Sequence, residues 1–267
     1  MSGLTRSEEA RMPGISVYVL TWNEEDKIGA ALESVTWADE IVVADSFSTD
    51  RTVEIARRYT DRIVQLPFEG FGKLRNDAVA RCSHDWIFSL DADERCTPEA
   101  RDEMLAIVAD PGAADAWYVP RRNLFLGRWI RRSGWYPDYR QPQLYRKGAV
   151  RYEEEPVHES YVVTGRTGHL RNPIVQVPYS DLSQLLAKMN RYSTLGARKL
   201  AERGVASGMG GALFHAVAAF LKPYVFKLGF LDGWAGFVIA LSNFEATFYK
   251  YAKCVEASRS TRREESC

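Results

Sequence analysis

Cysteine is scarce in this chain of 267 residues: Cys82, Cys96, Cys254 and Cys267 are the whole set. Their spacing fits neither a metal-ligand motif nor a disulfide framework, so reduced thiols in a cytosolic protein are expected. Net charge is also missing, since 35 Lys and Arg balance 35 Asp and Glu. Without a global positive field, nucleic acid is not an expected partner. No Gly-x-Gly-x-x-Gly follows the first apolar run, which argues against a dinucleotide site. No Gly-Lys-Ser/Thr loop exists either, which excludes a P-loop nucleoside triphosphatase. The opening dozen residues lack the apolar core of a secretory signal, and residues 1–13 read as a flexible polar tail. No unbroken apolar run reaches the roughly twenty residues that span a bilayer.

Present instead is an alternation of short apolar runs with helical patterns. Strands are expected at 15–21, 40–44, 63–66 and 86–90, and helices at 27–35, 48–59, 73–81 and from Thr97-Pro98 onward. Such alternation predicts an α/β fold with a mostly parallel sheet and helices on both faces. Ligands of such sheets sit beyond the carboxyl ends of the strands. Here those ends carry acids: Asn23-Glu24 after Thr21-Trp22, then Asp45, then Asp91-Ala92-Asp93-Glu94. Unpaired carboxylates at the end of a buried strand are costly, whereas a divalent cation neutralises them, and oxygen ligands suit Mg²⁺ or Mn²⁺. Asp91 and Asp93 can share one cation, or divide between ribose and metal. Asp45 is placed to accept hydrogen bonds from a nucleobase or ribose. Lys73, Arg75 and Asn76 open a helix, where they either meet a diphosphate or form a solvent-facing basic turn.

After Ala109 the alternation breaks. Further strands are expected at 116–119, 143–145 and 174–177, and a helix at 183–203. Residues 14–180 are therefore assigned to a nucleotide- and acceptor-binding domain, 181–255 to a helical region and 256–267 to a charged tail. Gly204 to Gly211 reads as a hinge leading into two apolar helical segments, the first interrupted by Lys222-Pro223. Aromatic residues mix there with Lys222, Lys227, Lys250 and Lys253, as in helices lying in a membrane interface. The alternative is a helical hairpin that packs on the domain or makes a homo-oligomer contact. Arg121, Arg122, Arg128, Arg131, Arg132 and Arg140 crowd one span beside Trp135, either as a solvated basic loop or as a site for phosphates on an anionic glycolipid acceptor.

Thr21-Trp22-Asn23-Glu24, Asp45-Ser46-Phe47-Ser48-Thr49-Asp50, Lys73-Leu74-Arg75-Asn76 and Asp91-Ala92-Asp93-Glu94, in this order, resemble family 2 glycosyltransferases over roughly residues 15 to 165. The resemblance implies a GT-A fold (Rossmann-like), a nucleotide-sugar donor such as UDP-glucose and an inverting transfer. By it Glu24 and Asp45 line the nucleotide pocket and Asp91/Asp93 form the DxD element. Ser133 to Asp138, Pro156-Val157-His158-Glu159 and Gly229 to Trp234 further resemble lipopolysaccharide core glucosyltransferases. These imply a catalytic base at Asp138, with Glu159 as the alternative, and a metal or diphosphate role for His158. Pro137 stands where the family pattern has Glu. The expected location is the cytoplasmic face of the bacterial inner membrane, bound peripherally. A polyprenyl-phosphate-linked or other glycan acceptor stays open at this level, as does a catalytically silent sugar-nucleotide-binding protein.

Overall fold

A computed structural model describes residues 13–154, 160–203 and 208–264. The chain divides into two compact units, Met1–Arg121 with Tyr139–Gln176, and Arg122–Asp138 with Val177–Cys267. Residues 122–138 thus fall in the same unit as the C-terminal helices, inside the range that the sequence assigns to the first domain.

In chain order the elements are β1 (Ile15–Thr21), α1 (Ile28–Glu33), β2 (Glu40–Asp45), α2 (Thr52–Ala56), β3 (Ile63–Gln65), α3 (Phe71–Arg81), β4 (Trp86–Asp91), β5 (Glu94–Arg95), α4 (Pro98–Ala109) and β6 (Ala116–Tyr118). There follow β7 (Arg121–Phe125), β8 (Arg128–Trp129), β9 (Pro142–Arg146), β10 (Val150–Tyr152), β11 (Tyr161–Val163), β12 (Thr167–His169) and β13 (Ile174–Tyr179). The helices α5 (Leu182–Glu202), α6 (Met209–Leu221) and α7 (Trp234–Glu264) complete the chain.

The first unit is built on a seven-stranded sheet in the order β12-β6-β9-β4-β1-β2-β3. β3, β2, β1 and β4 run parallel, while β9 pairs antiparallel with both β4 and β6. The sheet is therefore mixed. The antiparallel strand β9 follows β6 with no helix between them, as an antiparallel neighbour allows, and beyond it β12 again pairs parallel with β6. Alternate residues of β1 face opposite ways. Val17 and Val19 share a core with Ile28 and Leu32 of α1 and Met104 of α4, whereas Tyr18 and Leu20 pack with Leu74 and Ala78 of α3. Helices cover both faces, each fully buried aliphatic side chain contributing about 1.5–3 kcal/mol.

Local chemistry fixes several boundaries. Thr97 Oγ1 accepts from Ala100 N at 3.1 Å and Pro98 fills the first helical position, starting α4 as the sequence predicts. The helix expected over 48–59 is only Thr52–Ala56. Ser48, Thr49 and Asp50 are used elsewhere, holding the loop after β1. Asn23 N donates to Ser48 Oγ (2.8 Å), Thr49 N donates to Asn23 Oδ1 (2.8 Å) and Glu25 N donates to Asp50 Oδ2 (3.2 Å). Gly72 lies inside α3 rather than in a loop, because the helix approaches β10 so closely that a Cβ there would meet the Glu153 carbonyl oxygen at 2.0 Å.

In the second unit β7 and β8 form a hairpin turned by Leu126 and Gly127, both at positive φ (48° and 79°), as a two-residue hairpin loop requires. Phe125 and Ile130 pack with Leu185, Ala235 and Ile239 in a small separate core. Of the expected hinge, 204–207 lie outside the described residues, and Gly210 and Gly211 are already helical. α6 does not stop at Pro223; it continues as a π-helical turn, Lys222–Phe226, followed by a 3-10 turn, Gly229–Asp232. The resulting helical stretch Met209–Phe226 is, by length and composition, apolar enough to cross a membrane. Its apolar run is thus longer than Lys222-Pro223 suggested.

Candidate active site

Register brings the acidic strand ends of the first unit to one rim. Thr21 lies beside Asp45 across the β1–β2 pair, and Leu20 lies beside Asp91 across β1–β4. Glu24 follows directly, its carboxylate 3.1 Å from Lys27 Nζ. Asp45 is fully buried and accepts from Ser48 N at 2.9 Å and Ser48 Oγ at 2.5 Å, so it shapes the loop after β2. On the same rim the hydroxyls of Thr21 and Ser46 are buried without a hydrogen-bond partner. Unsatisfied buried hydroxyls beside a strand-end crevice suit polar groups of a ligand. Trp22 and Phe47, 52% and 58% exposed, stand on the loops after β1 and β2. Phe47 has φ +59° and Asn23 φ +53°. For a bulky side chain that conformation is strained, as is common where a loop serves a ligand. Neither aromatic was singled out from sequence. Their signal was large apolar residues set among polar loop neighbours.

The segment after β4 separates its acids by role. Asp91 and Asp93 are half-exposed, whereas Ala92 and Glu94 are buried. Asp91 is paired with Arg75, whose Nη2 lies 3.1 Å from Oδ1, while Arg75 Nη1 donates to Ser89 Oγ. Burial alone would lower the guanidinium pKa, but Asp91, with Tyr18 and Tyr152, moves the net shift well upward, so Arg75 stays charged. Glu94 is no ligand for a cation. Its Oε1 accepts from Arg121 Nε at 2.6 Å, and its Oε2 accepts from Gln143 Nε2 at 2.9 Å and from Asp91 N at 3.0 Å. It braces the turn that presents Asp91 and Asp93. Asp93 in turn accepts from Gln176 Nε2 at 3.2 Å.

Three expected contact residues are spent internally. Arg75 is 4% exposed and serves as the counter-ion of Asp91 instead of reaching into solvent. Asn76 exchanges both amide groups with Tyr152: Nδ2 donates to Tyr152 O (2.9 Å) and Oδ1 accepts from Tyr152 N (3.1 Å), tying α3 to β10. Arg121 is 1% exposed against Glu94 and offers no surface to an acceptor. Lys73 remains outside, bonded to Asp77 at 2.8 Å. That contact raises its pKa.

Asp138, Arg122, Arg132 and Trp135 belong to the second unit. Asn123 Nδ2 donates to Trp135 O at 2.9 Å and approaches Asp138 Oδ2 at 3.4 Å, so one buried amide orients the Trp135–Asp138 turn. Trp135 packs edge-on against Phe125 in the small core, which makes it a support rather than a displayed platform. Arg132 is exposed. His158 and Glu159 lie outside the described residues.

Among the described residues no group of three or more His, Cys, Asp or Glu side chains could by itself hold a metal ion. Asp91 and Asp93 nevertheless suit Mg²⁺ or Mn²⁺ in the manner of nucleotide enzymes. There one or two carboxylates suffice and substrate phosphates and water complete the shell.

Residues 16–169 match the family described as Glycosyl transferase family 2. The chain is 29% identical over 250 residues to the lipopolysaccharide core biosynthesis glycosyltransferase LpsC of Rhizobium meliloti (strain 1021), covering 90% of this chain and 91% of that protein. It is 30% identical over 256 residues to an uncharacterized glycosyltransferase of Rickettsia bellii (strain RML369-C), covering 91% and 87%. Among solved structures, S. aureus TarS 1–349 superposes with a TM-score of 0.50 at 17% identity, over 93% of this chain and 92% of that one. That protein has also been crystallised with UDP-GlcNAc.

Proposed function

The chain belongs to glycosyl transferase family 2 and has the GT-A fold, and from that premise we propose that it transfers a hexose, with glucose from UDP-glucose favoured, onto the inner core of lipopolysaccharide. Similarity to LpsC over nearly the whole chain supports the lipopolysaccharide acceptor. The observation that carries the transferase chemistry is the alignment of Asp45 and Asp91 beside the end of β1, with Asp93 two residues further on. Thr21, Asn23, Glu24 and Asp45 then shape the nucleotide pocket, and the unpartnered Thr21 hydroxyl faces polar ligand atoms. Asp91 and Asp93 would hold Mg²⁺ or Mn²⁺, which when bound supplies positive charge to the departing nucleoside diphosphate.

Asp138 takes the proton of the acceptor hydroxyl in this reading, oriented by Asn123, with Glu159 as the alternative base. Arg122 and Arg132 attract the anionic glycolipid. Exposed apolar side chains of the second unit hold the enzyme at the cytoplasmic surface of the inner membrane. The decisive experiment compares two variants of the folded protein. Asp93→Ala is expected to abolish both glycosyl transfer and Mn²⁺-dependent UDP binding. Asp138→Asn should keep UDP binding near wild type while turnover falls by about 10²–10⁴. Undiminished transfer by Asp93→Ala would overturn the proposal, and equal loss of binding and turnover in Asp138→Asn would remove that residue as base.

A further inference from the structure

Arg122, invoked above for the anionic acceptor, forms a cluster with Trp129 and Arg131, two residues that the transfer reading does not use. β7 and β8 pair so that Leu124 stands opposite Trp129. The Trp129 ring then carries two guanidinium groups, with Arg122 Cζ 4.7 Å and Arg131 Cζ 4.2 Å from its centre. Tyr136 meets the same indole edge-on at 5.4 Å. Each stack is favourable, yet together they gather two like charges on one ring, and like charges repel. Arg75, Arg121 and Arg146 each lie within ion-pair distance of a carboxylate. Arg122 and Arg131 have no such partner among the described residues.

The hydrogen-bond inventory is lopsided in the same place. Arg122 Nε and Trp129 Nε1 are buried N–H groups with no acceptor among the described residues, and a buried donor left unpaired is destabilising. The outer nitrogens of Arg122 and Arg131 likewise find no acceptor among the described residues. The nearby Asp232 carboxylate is taken up by the backbone N–H groups of Arg131 and Arg132 and pairs with neither guanidinium, so two positive charges and several idle donors are left to an anion from outside. A doubly charged, multi-oxygen group matches them better than a single carboxylate, because guanidinium forks and phosphate oxygens pair with charge-assisted bonds.

We infer that Arg122, Trp129 and Arg131 form a seat for a phosphate group. The inference deepens the acceptor side of the proposed function, and rests on it only for the molecule that carries the phosphate: a phosphorylated sugar acceptor or a phospholipid headgroup. The test uses the full chain with ¹⁵N-labelled tryptophan, the Trp129 indole signal being identified by its loss in Trp129→Phe. Inorganic phosphate added at constant ionic strength should shift that signal saturably. Arg131→Gln, which changes an exposed side chain, and Arg122→Gln should each weaken the response by about tenfold or more, with Mn²⁺-dependent UDP binding unchanged. Glucose 6-phosphate and phosphatidylglycerol vesicles then separate the two sources. A saturable shift with the sugar phosphate assigns the acceptor, and a shift confined to the vesicles assigns the headgroup. Absence of a saturable shift with phosphate, or equal affinity in wild type and Arg131→Gln, overturns the seat. Loss of UDP binding in the wild type would instead count against the transferase reading.

Discussion

At Glu94 and Arg121 two opposite charges lie almost wholly out of water, 0% and 1% exposed, with Arg121 Nε 2.6 Å from the carboxylate. Such a pair contributes little compared with an apolar replacement, but losing one partner strands the other. Arg121→Met should therefore lower stability by about 3–5 kcal/mol, measured by urea unfolding, and adding Glu94→Gln should restore part of it. An Arg121 variant as stable as wild type but weak in acceptor affinity would return the residue to the surface role that its sequence neighbours suggested. Sequence could not make this distinction. Asp91, Asp93 and Glu94 are equally acidic, and only the burial alternation after β4, together with a partner 27 residues away, separates brace from ligand. The same limit hid the internal use of Arg75 and Asn76, whereas Asp45 and Asp91 were legible because strand ends in a parallel sheet align by rule. Two thiols allow a further check. Burial pushes Cys82 up to about 11 and Cys96 up to about 12. Because these pKa values are raised in the folded state, the stabilisation is complete below the ordinary thiol pKa. It is lost as pH climbs through about 9 to 12, by about 3 kcal/mol for Cys82 and about 4 kcal/mol for Cys96. Both cysteines should resist thiol reagents at pH 8 until the protein unfolds, and a fast-reacting Cys82 or Cys96 would contradict their burial.

One short turn organises the second unit at the scale of elements. Asp232, 4% exposed, accepts from Arg131 N (3.2 Å), Arg132 N (3.0 Å) and Ser133 Oγ (3.1 Å), while Ser133 N donates to Lys227 O (3.0 Å). The turn fits because Gly236 lets α7 start against it: a Cβ there would meet Gly229 O at 1.9 Å. The same loop runs on to Trp135 and Asp138, held by Asn123. Asp232→Ala removes the acceptor of two backbone N–H groups and a hydroxyl, each unpaired group costing about 1–3 kcal/mol. The expected outcome is a lower melting temperature and reduced turnover at unchanged UDP affinity, with Asp232→Asn falling between alanine and wild type. Equal loss of UDP affinity would show that the turn does more than hold the loop bearing Asp138. Gly229 to Trp234 was recognisable in sequence as a motif. Its partner was not, since about a hundred residues separate Asp232 from the loop, and neither helical periodicity nor strand alternation carries information over that distance. The helices themselves, with their 3.6-residue repeat, were legible to within a few residues, except α2, whose polar start was diverted to the neighbouring loop, and α7, which runs on to Glu264 through the stretch assigned to a charged tail.

For the whole molecule, zero net charge means that the membrane binding proposed above must rest on local surface. In that proposal the second unit supplies it. Phe214 and Phe226 are 71% and 76% exposed, and Leu213, Leu231 and Trp234 are each more than half exposed, close in sequence to Lys222 and Lys227. Leaving such side chains in water forfeits about 1.5–3 kcal/mol each, a gain recovered by insertion at a lipid interface, while the lysines favour anionic headgroups. The full chain should therefore float with vesicles containing phosphatidylglycerol, less with phosphatidylcholine alone and less again at high salt. Phe214→Asp with Phe226→Asp should abolish flotation while leaving the melting temperature and UDP affinity in place, since neither ring lies in a buried core. A homo-oligomer burying the same rings predicts a different pattern. The wild type would then show a concentration-dependent mass that the double variant loses, and its flotation would not depend on lipid charge.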